Sequence, residues 1–340
     1  MAEVRRIRLL KFPYLVYQRV IKLMNPMAQL DISQCSKKMK NSVKHCFTTG
    51  NYSMHLSMLE FLLFSIYTPD QTVRSDFSIS EADVRNPLDE DVTTFRRKIG
   101  KNHRVLCHLR DDEPVLDTFW ADMVVGAKEI YKELIEVFGI PLNSVEVDLD
   151  KFKDYATMLR WLNKVDVQSW VFTATSIPDS EFVYLIEHVV TQKSVKIDIR
   201  PSGGFKMSTA KVKIGHLKLQ NSHWITLKNL QALKSVTIDL NNVVLTDEMM
   251  NKFLKEFANP NLEYLKLRFD GILNVEKVLE GLETEKVGDK DVREYRKHGI
   301  QIDNKDAFNI RLGNGNVCSI GFKDSIEAGF QTMEIIVWKD

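Results

Sequence analysis

Apolar residues near the start of the chain recur at helical spacing. Val16, Val20 and Leu23 stand at i, i+4 and i+7, which predicts a first helix. Pro13 fits its first turn, because the N–H that proline lacks would have no intrahelical partner there.

Two further short helices are predicted behind the first. Asn25-Pro26 joins an N-cap residue to a proline at the first helical position, which predicts a second helix. Ser36 can cap a third helix with Met39 and Val43 on its apolar side. Three short helices bury too little surface for a core of their own. We therefore expect this block, residues 10–50, to complete its core against a partner or a neighbouring domain.

Residues 51–141 are predicted to form a helical linker region. The run 54–67 is apolar enough for a helix, and 117–138 has helical periodicity before Gly139 and Pro141 end it. Residues 68–103 are rich in Asp, Ser and Arg and show no clear period.

From residue 142 to residue 290 a pattern of the form LxxLxL repeats. Its copies are Leu142-Val145-Val147, Val167-Trp170-Phe172, Ile214-Leu217-Leu219, Leu233-Val236-Ile238 and Leu262-Leu265-Leu267, with a weaker copy at Val195-Ile197. Intervals of 19 to 29 residues are typical of leucine-rich repeats, in which each unit gives one strand and a return segment. Return helices are predicted at 151–163, 179–190 and 247–258, the last with Thr246 as N-cap. Asn241 stands where such repeats often carry asparagine, but most copies lack it, and the same pattern also arises in ordinary α/β proteins.

The final segment, 291–340, changes to short alternating runs. These runs are 299–302, 308–312, 317–322 and 332–338, with Gly-Asn-Gly-Asn at 313–316 as a turn. We therefore predict an α/β fold with a short three-helix N-terminal block, a degenerate leucine-rich-repeat-like array and a C-terminal antiparallel sheet that caps it.

Composition indicates a folded protein with an uneven charge distribution. The chain has 340 residues, 44% of them hydrophobic and 27% charged, with a net charge of +1. Residues 1–50 carry ten Lys or Arg against two acids, a charge of +8, so the remaining chain carries −7. This asymmetry predicts an acidic partner for the N-terminal block, and a solvated basic surface without a partner is the alternative.

Cysteine usage and hydropathy favour a reducing compartment. The four cysteines are scattered at Cys35, Cys46, Cys107 and Cys318 and form no CxxC pair. The chain shows neither a signal-peptide pattern nor an apolar run long enough to span a membrane. We expect a cytoplasmic or nuclear location and no membrane contact.

The sequence gives no sign of a catalytic centre. It contains no GxSxG, P-loop, HExxH or Rossmann motif. Cys107 and His108 are adjacent and would point to opposite faces of a strand, and His216 and His223 have no further ligand type close by. We therefore expect no cofactor, no metal and no enzymatic activity.

The N-terminal block resembles an F-box. Phe12-Pro13 matches the family's opening Leu-Pro, Val16 and Val20 match its first-helix Leu and Ile, and Asn25-Pro26 matches Asp-Pro. Met24, Leu30, Cys35 and Ser36-Lys37-Lys38 follow close to the family spacing, whereas Leu15 replaces a frequent Glu and Met39 the usual Trp. The resemblance implies that these helices bind the Skp adaptor. The implied contact residues are Phe12, Pro13, Val16, Val20, Leu23, Met24, Pro26, Leu30, Cys35 and Met39.

The remainder is similar to the F-box-associated domain of large nematode families. The resemblance implies a substrate-recruiting subunit of a ubiquitin ligase, joined through Skp to cullin and RING subunits, that binds an unknown target protein. Two alternatives are a repeat scaffold without ubiquitin transfer and, less favoured, nucleic-acid binding through the lysines at 37, 38, 40 and 44.

The target is predicted to dock on the strand face that alternates with the LxxLxL residues. That face would carry Ser144, Glu146, Asp148, Ser169, Val171, Thr173, Ser194, Lys196, Asp198, His216, Lys218, Gln220, Ser235, Thr237, Asp239, Tyr264, Lys266 and Arg268. Its predicted target contacts are Glu146, Lys196, Lys218, Tyr264, Lys266 and Arg268, with Tyr264 and Arg268 of the types enriched in hot spots. Loops or the C-terminal sheet are the alternative binding sites.

Overall fold

The protein has a mixed α/β fold that divides into two compact units, residues 1–168 and 169–340. The structure is a computed structural model that describes residues 9–47, 52–68, 70, 72–82, 94–100, 103–110, 113–207, 212–287, 307–325 and 329–338. In this part of the chain, no helix combines the length and apolar character needed to cross a membrane.

The first unit opens with the three predicted helices. A 3-10 turn, Leu9–Lys11, precedes α1 (Tyr14–Leu23), α2 (Pro26–Gln34) and α3 (Lys37–Phe47). The side chain of Asn25 accepts a hydrogen bond from Ala28 N at 2.8 Å, and Ser36 Oγ accepts one from Met39 N at 3.1 Å. Both predicted caps are confirmed, because each supplies an acceptor for an N–H that has no partner inside its helix.

These helices pack on other elements of the same unit. α2 and α3 contact each other and also α4 (Met123–Phe138), and α2 contacts strand β3 (Arg74–Glu81). Polar tethers support this packing: Lys40 Nζ lies 2.8 Å from Glu136, and Arg97 lies 2.7 Å from Asp31. The core that three short helices could not form alone is thus completed inside the chain.

The rest of the first unit is mainly a sheet, which corrects the helical-linker prediction. Its strands are β1 (Ser53–Met58), β2 (Leu62–Tyr67), β3, β4 (Thr94–Ile99), β5 (His103–Leu109), β6 (Val115–Trp120) and β7 (Leu142–Asp148), in the order β7-β1-β2-β3-β6-β5-β4. The predicted helix at 54–67 is wrong, because β1 and β2 form an antiparallel hairpin there. The helix predicted at 117–138 begins only at Met123, and Gly139 ends it with φ 67° as predicted.

Gly126 lets α4 approach the indole ring of Trp120. A Cβ at this position would lie 2.7 Å from Trp120 Cγ. The ring is held in place, since its Nε1 donates to Thr118 Oγ1 at 2.9 Å and Thr118 donates to Ser78 O at 2.6 Å. The close approach therefore depends on the missing side chain.

We expect Gly126→Ala to lower the free energy of unfolding by up to about 2 kcal/mol. Alanine ordinarily stabilises a helix interior by ~1 kcal/mol relative to glycine, but overpacking against a fixed ring costs about 1–3 kcal/mol. Urea denaturation of both proteins measures the change. In a Trp120→Phe background the same substitution should cost less, whereas a Gly126→Ala protein more stable than the parent would contradict the packing argument.

The second unit combines parallel strands with an antiparallel edge. It contains β8 (Val167–Ala174), which starts at the unit boundary, β9 (Val190–Ile199), β10 (Lys213–Leu219), β11 (Thr237–Val243) and β12 (Tyr264–Phe269), paired in parallel in chain order. Four helices accompany them: α6 (Asp179–His188), α7 (Leu227–Ala232), α8 (Asp247–Lys255) and α9 (Val275–Leu279). In the first unit, α5 (Tyr155–Leu162) follows β7.

All three predicted return helices are present as α5, α6 and α8. Thr246 accepts a hydrogen bond from Met249 N at 3.4 Å and caps α8 as predicted. In most of this region, strands and helices therefore alternate as the repeat pattern predicted. The description of the array as leucine-rich-repeat-like stays a prediction.

The predicted register of β11 is wrong by two residues. Ile238 pairs with Leu217 and Leu265, so the true counterpart of the LxL ending is Ile238-Leu240 and not Val236-Ile238. Ser235 takes the first apolar position of this copy. It is buried and its hydroxyl donates to Ile214 O at 2.6 Å, which satisfies a polar group at a core position.

The C-terminal strands form the predicted antiparallel arrangement. They are β13 (Thr284–Lys286), β14 (Ala307–Arg311), β15 (Val317–Ser325) and β16 (Phe330–Val337), and β16 pairs with β12. The turn at 313–316 joins β14 to β15 and is closed by a 2.9 Å bond from Leu312 N to Asn316 O. The run predicted at 299–302 falls outside the described residues.

Candidate protein-interaction surfaces

An apolar stripe lies exposed along α1. Val16, Val20 and Leu23 are 46%, 36% and 81% exposed, and Phe12, one turn earlier, is 46% exposed. Ile21, on the other side of the helix, is fully buried and anchors α1 to the unit. Helical spacing places Val16, Val20 and Leu23 on one side of α1, and Phe12 lies just before the helix begins. We call Phe12, Val16, Val20 and Leu23 the α1 stripe.

The structure separates the other six predicted adaptor contacts into two groups. Pro13 and Cys35 are exposed and Met24 is half-buried, so all three are accessible. Pro26, Leu30 and Met39 are buried in the helix packing of the first unit. This corrects their predicted place on a contact surface. Apolar spacing on a short helix does not distinguish a residue facing its own chain from one facing a partner.

A groove of about 760 Å³ adjoins the C-terminal end of the α1 stripe. Leu23, Met24, Cys46, Tyr52 and Val73 contribute to its lining. Burial raises the pKa of the Cys46 thiol, so this cysteine is a neutral apolar group at neutral pH. The groove extends the accessible surface of α1 onto Tyr52 and onto residues between β2 and β3.

Polar and charged side chains follow one face of the strands in the second unit. Pairing sets Lys196 beside Lys218, Lys218 beside Asp239, and Asp239 beside Lys266. On the antiparallel side Lys266 pairs with Glu334. We call Lys196, Lys218, Asp239, Lys266 and Glu334 the lysine row.

Ion pairs connect members of this row. Lys218 Nζ lies 2.8 Å from Asp239 Oδ2, and Glu334 lies 3.4 Å from both Lys266 and Lys323. The carboxylate of Glu334 is only 7% exposed, so its charge depends on these partners. Glu334 and Lys323 were not predicted. A single charged residue within the apolar strand Phe330–Val337 is the sequence feature that could have indicated Glu334.

The remaining predicted target contacts have different surroundings. Arg268 lies over the Phe330 ring, 3.5 Å from its centroid, and Tyr264 is half-buried. Burial, together with the nearby charges of Glu334 and Asp239, raises the pKa of Tyr264, so its hydroxyl stays protonated. Glu146 is exposed on β7 of the first unit, where it pairs with Ser57. Ser235 was predicted on the open face but is buried. Asn241 takes the corresponding position on that face, and its side-chain amide donates to the side chain of Gln220.

The residues considered for catalysis are placed as structural groups. Cys107 is buried, and burial raises the pKa of its thiol to about 11, while His108 lies 3.4 Å from Asp117. His216 Nδ1 lies 2.9 Å from Thr237 Oγ1. Among the described residues, no group of three His, Cys, Asp or Glu side chains is placed to hold a metal ion.

Comparison with known proteins gives one family match in the second unit. Residues 208–267 match the family described as F-box associated. The Caenorhabditis elegans protein "Skn-1 dependent zygotic transcript 15 protein" is 23% identical over 295 residues, which are 78% of this chain and 81% of that protein. "Uncharacterized protein F59B2.9", also from Caenorhabditis elegans, is 22% identical over 333 residues, 92% of this chain and 74% of that protein. No solved structure gives a significant match.

The matched F-box associated segment contains β10, β11, the helices that follow each of them and the first four residues of β12. Three members of the lysine row, Lys218, Asp239 and Lys266, therefore belong to it. An F-box associated segment indicates a role in binding proteins in an F-box context.

Proposed function

We propose that the chain is the substrate-recruiting subunit of a Skp–cullin–RING ubiquitin ligase. The α1 stripe binds the Skp adaptor, and the polar strand face of the second unit binds a target protein. The exposed stripe carries this proposal: three large apolar side chains share one side of a helix whose other side is already anchored by Ile21, and exposed Phe12 precedes them. Apolar surface of this kind marks a protein-interaction site.

Tethering supplies the mechanism. A target held beside the ubiquitin-loaded enzyme is present at a high effective concentration, so ligation needs no acid, base or nucleophile from this chain. The subunit is accordingly non-catalytic, works without a cofactor, and acts in the cytoplasm or nucleus.

We expect the pure chain to hydrolyse no ester, phosphate or peptide substrate. A saturable turnover that a point substitution removes would contradict this expectation.

Co-expression with the Skp adaptor tests the proposal. We expect the full chain and the adaptor to elute together from size exclusion as a stable complex that also binds the N-terminal part of the cullin. If the folded chain elutes alone at micromolar concentration of both proteins, the ligase proposal is wrong.

A second candidate is a scaffold that binds proteins without ubiquitin transfer. It is favoured by the position of the family match, which covers 208–267 and not the N-terminal helices. The same co-expression separates the two, because a scaffold would retain target binding and lack the adaptor.

A further inference from the structure

The polar face of the second unit carries more cations than carboxylates. Besides the lysine row it includes Arg268, Asp198 and Lys323, because Lys323 pairs with Thr332 beside Arg268 and reaches Glu334. In the part of the second unit that the structure describes, five cationic side chains thus stand with three carboxylates on this face. The chain after residue 50 is acidic, at −7, so the local excess of positive charge opposes the overall balance.

The carboxylates on this face are already engaged inside the unit. Asp239 pairs with Lys218, and the buried Glu334 is shared between two lysines. Asp198 is 3.5 Å from the side-chain amide of Asn221. Among the described residues, Lys196 has no ion-pair partner, and it stands directly beside Lys218 on the next strand. Like charges in this position repel each other, and a bound anion would reverse that effect.

We infer that the lysine row binds an extended, acidic segment of the target protein. This inference rests on the proposed role of the second unit in target binding and adds the chemistry of the target. Lys196 and Lys266 are three strand spacings apart, roughly 14 Å at the usual spacing of neighbouring strands. An extended chain rises ~3.3 Å per residue, so about five residues cross the row. Two or three Asp or Glu within such a stretch would meet Lys196, Lys218 and Lys266.

A labelled acidic peptide tests the inference. We would measure the fluorescence anisotropy of a fluorescein-labelled Gly-Glu repeat peptide with the full chain, and use a Gly-Gln repeat as the uncharged probe. Lys196→Gln with Lys218→Gln should weaken binding of the Glu peptide about tenfold or more, because each lysine would supply a charge-assisted hydrogen bond to a peptide carboxylate. Lys228→Gln with Lys234→Gln removes the same charge from two exposed lysines elsewhere in the unit and should leave binding within about twofold. Lys196→Gln alone breaks no internal ion pair and gives a second test if the double variant is unstable.

The outcomes separate this inference from the ligase proposal. Equal binding of the two peptides, or unchanged binding by the Lys196 variants, would overturn the inference. Tighter binding of duplex DNA than of the Glu peptide, lost in the same variants, would assign the row to nucleic acid and would also overturn it. Adaptor co-elution is measured on the same proteins. If the adaptor binds and the Glu peptide does not, the inference alone is wrong, whereas peptide binding without adaptor binding supports the inference and rejects the ligase.

Discussion

Val16→Asp with Val20→Asp is expected to weaken adaptor binding at least a hundredfold while the chain stays folded. Both side chains are well exposed on the α1 stripe, so the free protein can solvate the new carboxylates. In the complex the same carboxylates would lose water against an apolar surface, and a charge buried without a partner costs far more than the ~3 kcal/mol that a hundredfold change represents. Titration calorimetry with the purified adaptor measures the change.

Two matched variants make this result specific. Val244→Asp places a carboxylate on another exposed valine, 61% exposed in the second unit, and should leave adaptor affinity unchanged. Ile21→Asp changes the buried anchor of α1 and should destabilise the helices themselves. Retained adaptor affinity in the double variant would show that the α1 stripe is not the adaptor surface.

Local chemistry made the N-terminal helices predictable. Asn25-Pro26 and Ser36 act through atoms two to four residues away, so the sequence contains the whole interaction. The hairpin of β1 and β2 was missed because apolar residues run almost continuously from Met58 to Phe64, interrupted by Glu60, and such a run fits a buried strand as well as a helix. Its turn, between Met58 and Leu62, also contains no Gly or Pro to separate the two strands.

The register of β11 shows a different limit. Val236, Ile238 and Leu240 share one parity, so the LxL ending of the pattern fits equally well when shifted by two residues. The structure has the shift that buries Ser235, whose hydroxyl donates to Ile214 O on the neighbouring strand. Local periodicity carries no information about a contact between distant segments of the chain.

The candidate surfaces were predicted only in part, because local patterns do not contain the contacts between distant segments. Helical spacing found the α1 stripe, yet it could not distinguish Leu30 and Met39, which pack inside the unit, from residues that stay exposed. Strand alternation found the lysines at 196, 218 and 266. The ion pair of Lys266 with Glu334 depends on the antiparallel pairing of β12 with a strand more than sixty residues later in the chain.

Lys266→Met with Lys323→Met is expected to destabilise the second unit by about 3 kcal/mol, much more than the sum of the single substitutions. Each single variant leaves Glu334 one ammonium group at 3.4 Å and should cost about 1 kcal/mol or less. When both are removed, a carboxylate that is 7% exposed loses its paired charges. A buried charge left without compensation costs about 3–5 kcal/mol, and partial access of water to the two lysines favours the lower end of that range.

Urea denaturation measures the change in the free energy of unfolding. Hydrogen exchange of the β12 and β16 amides in the native protein assigns that change to the second unit, since the two units need not unfold together. Adding Glu334→Gln to the double variant removes the buried charge and should recover most of the lost stability, because a neutral amide costs less to bury than a carboxylate. Lys228→Met with Lys234→Met, at exposed positions of the same unit, should change stability by less than about 0.5 kcal/mol. If the double variant at 266 and 323 is merely additive and Glu334→Gln gives no recovery, water and not the two lysines compensates Glu334. Pairing of Lys266 with a bound partner would then carry no cost to the fold.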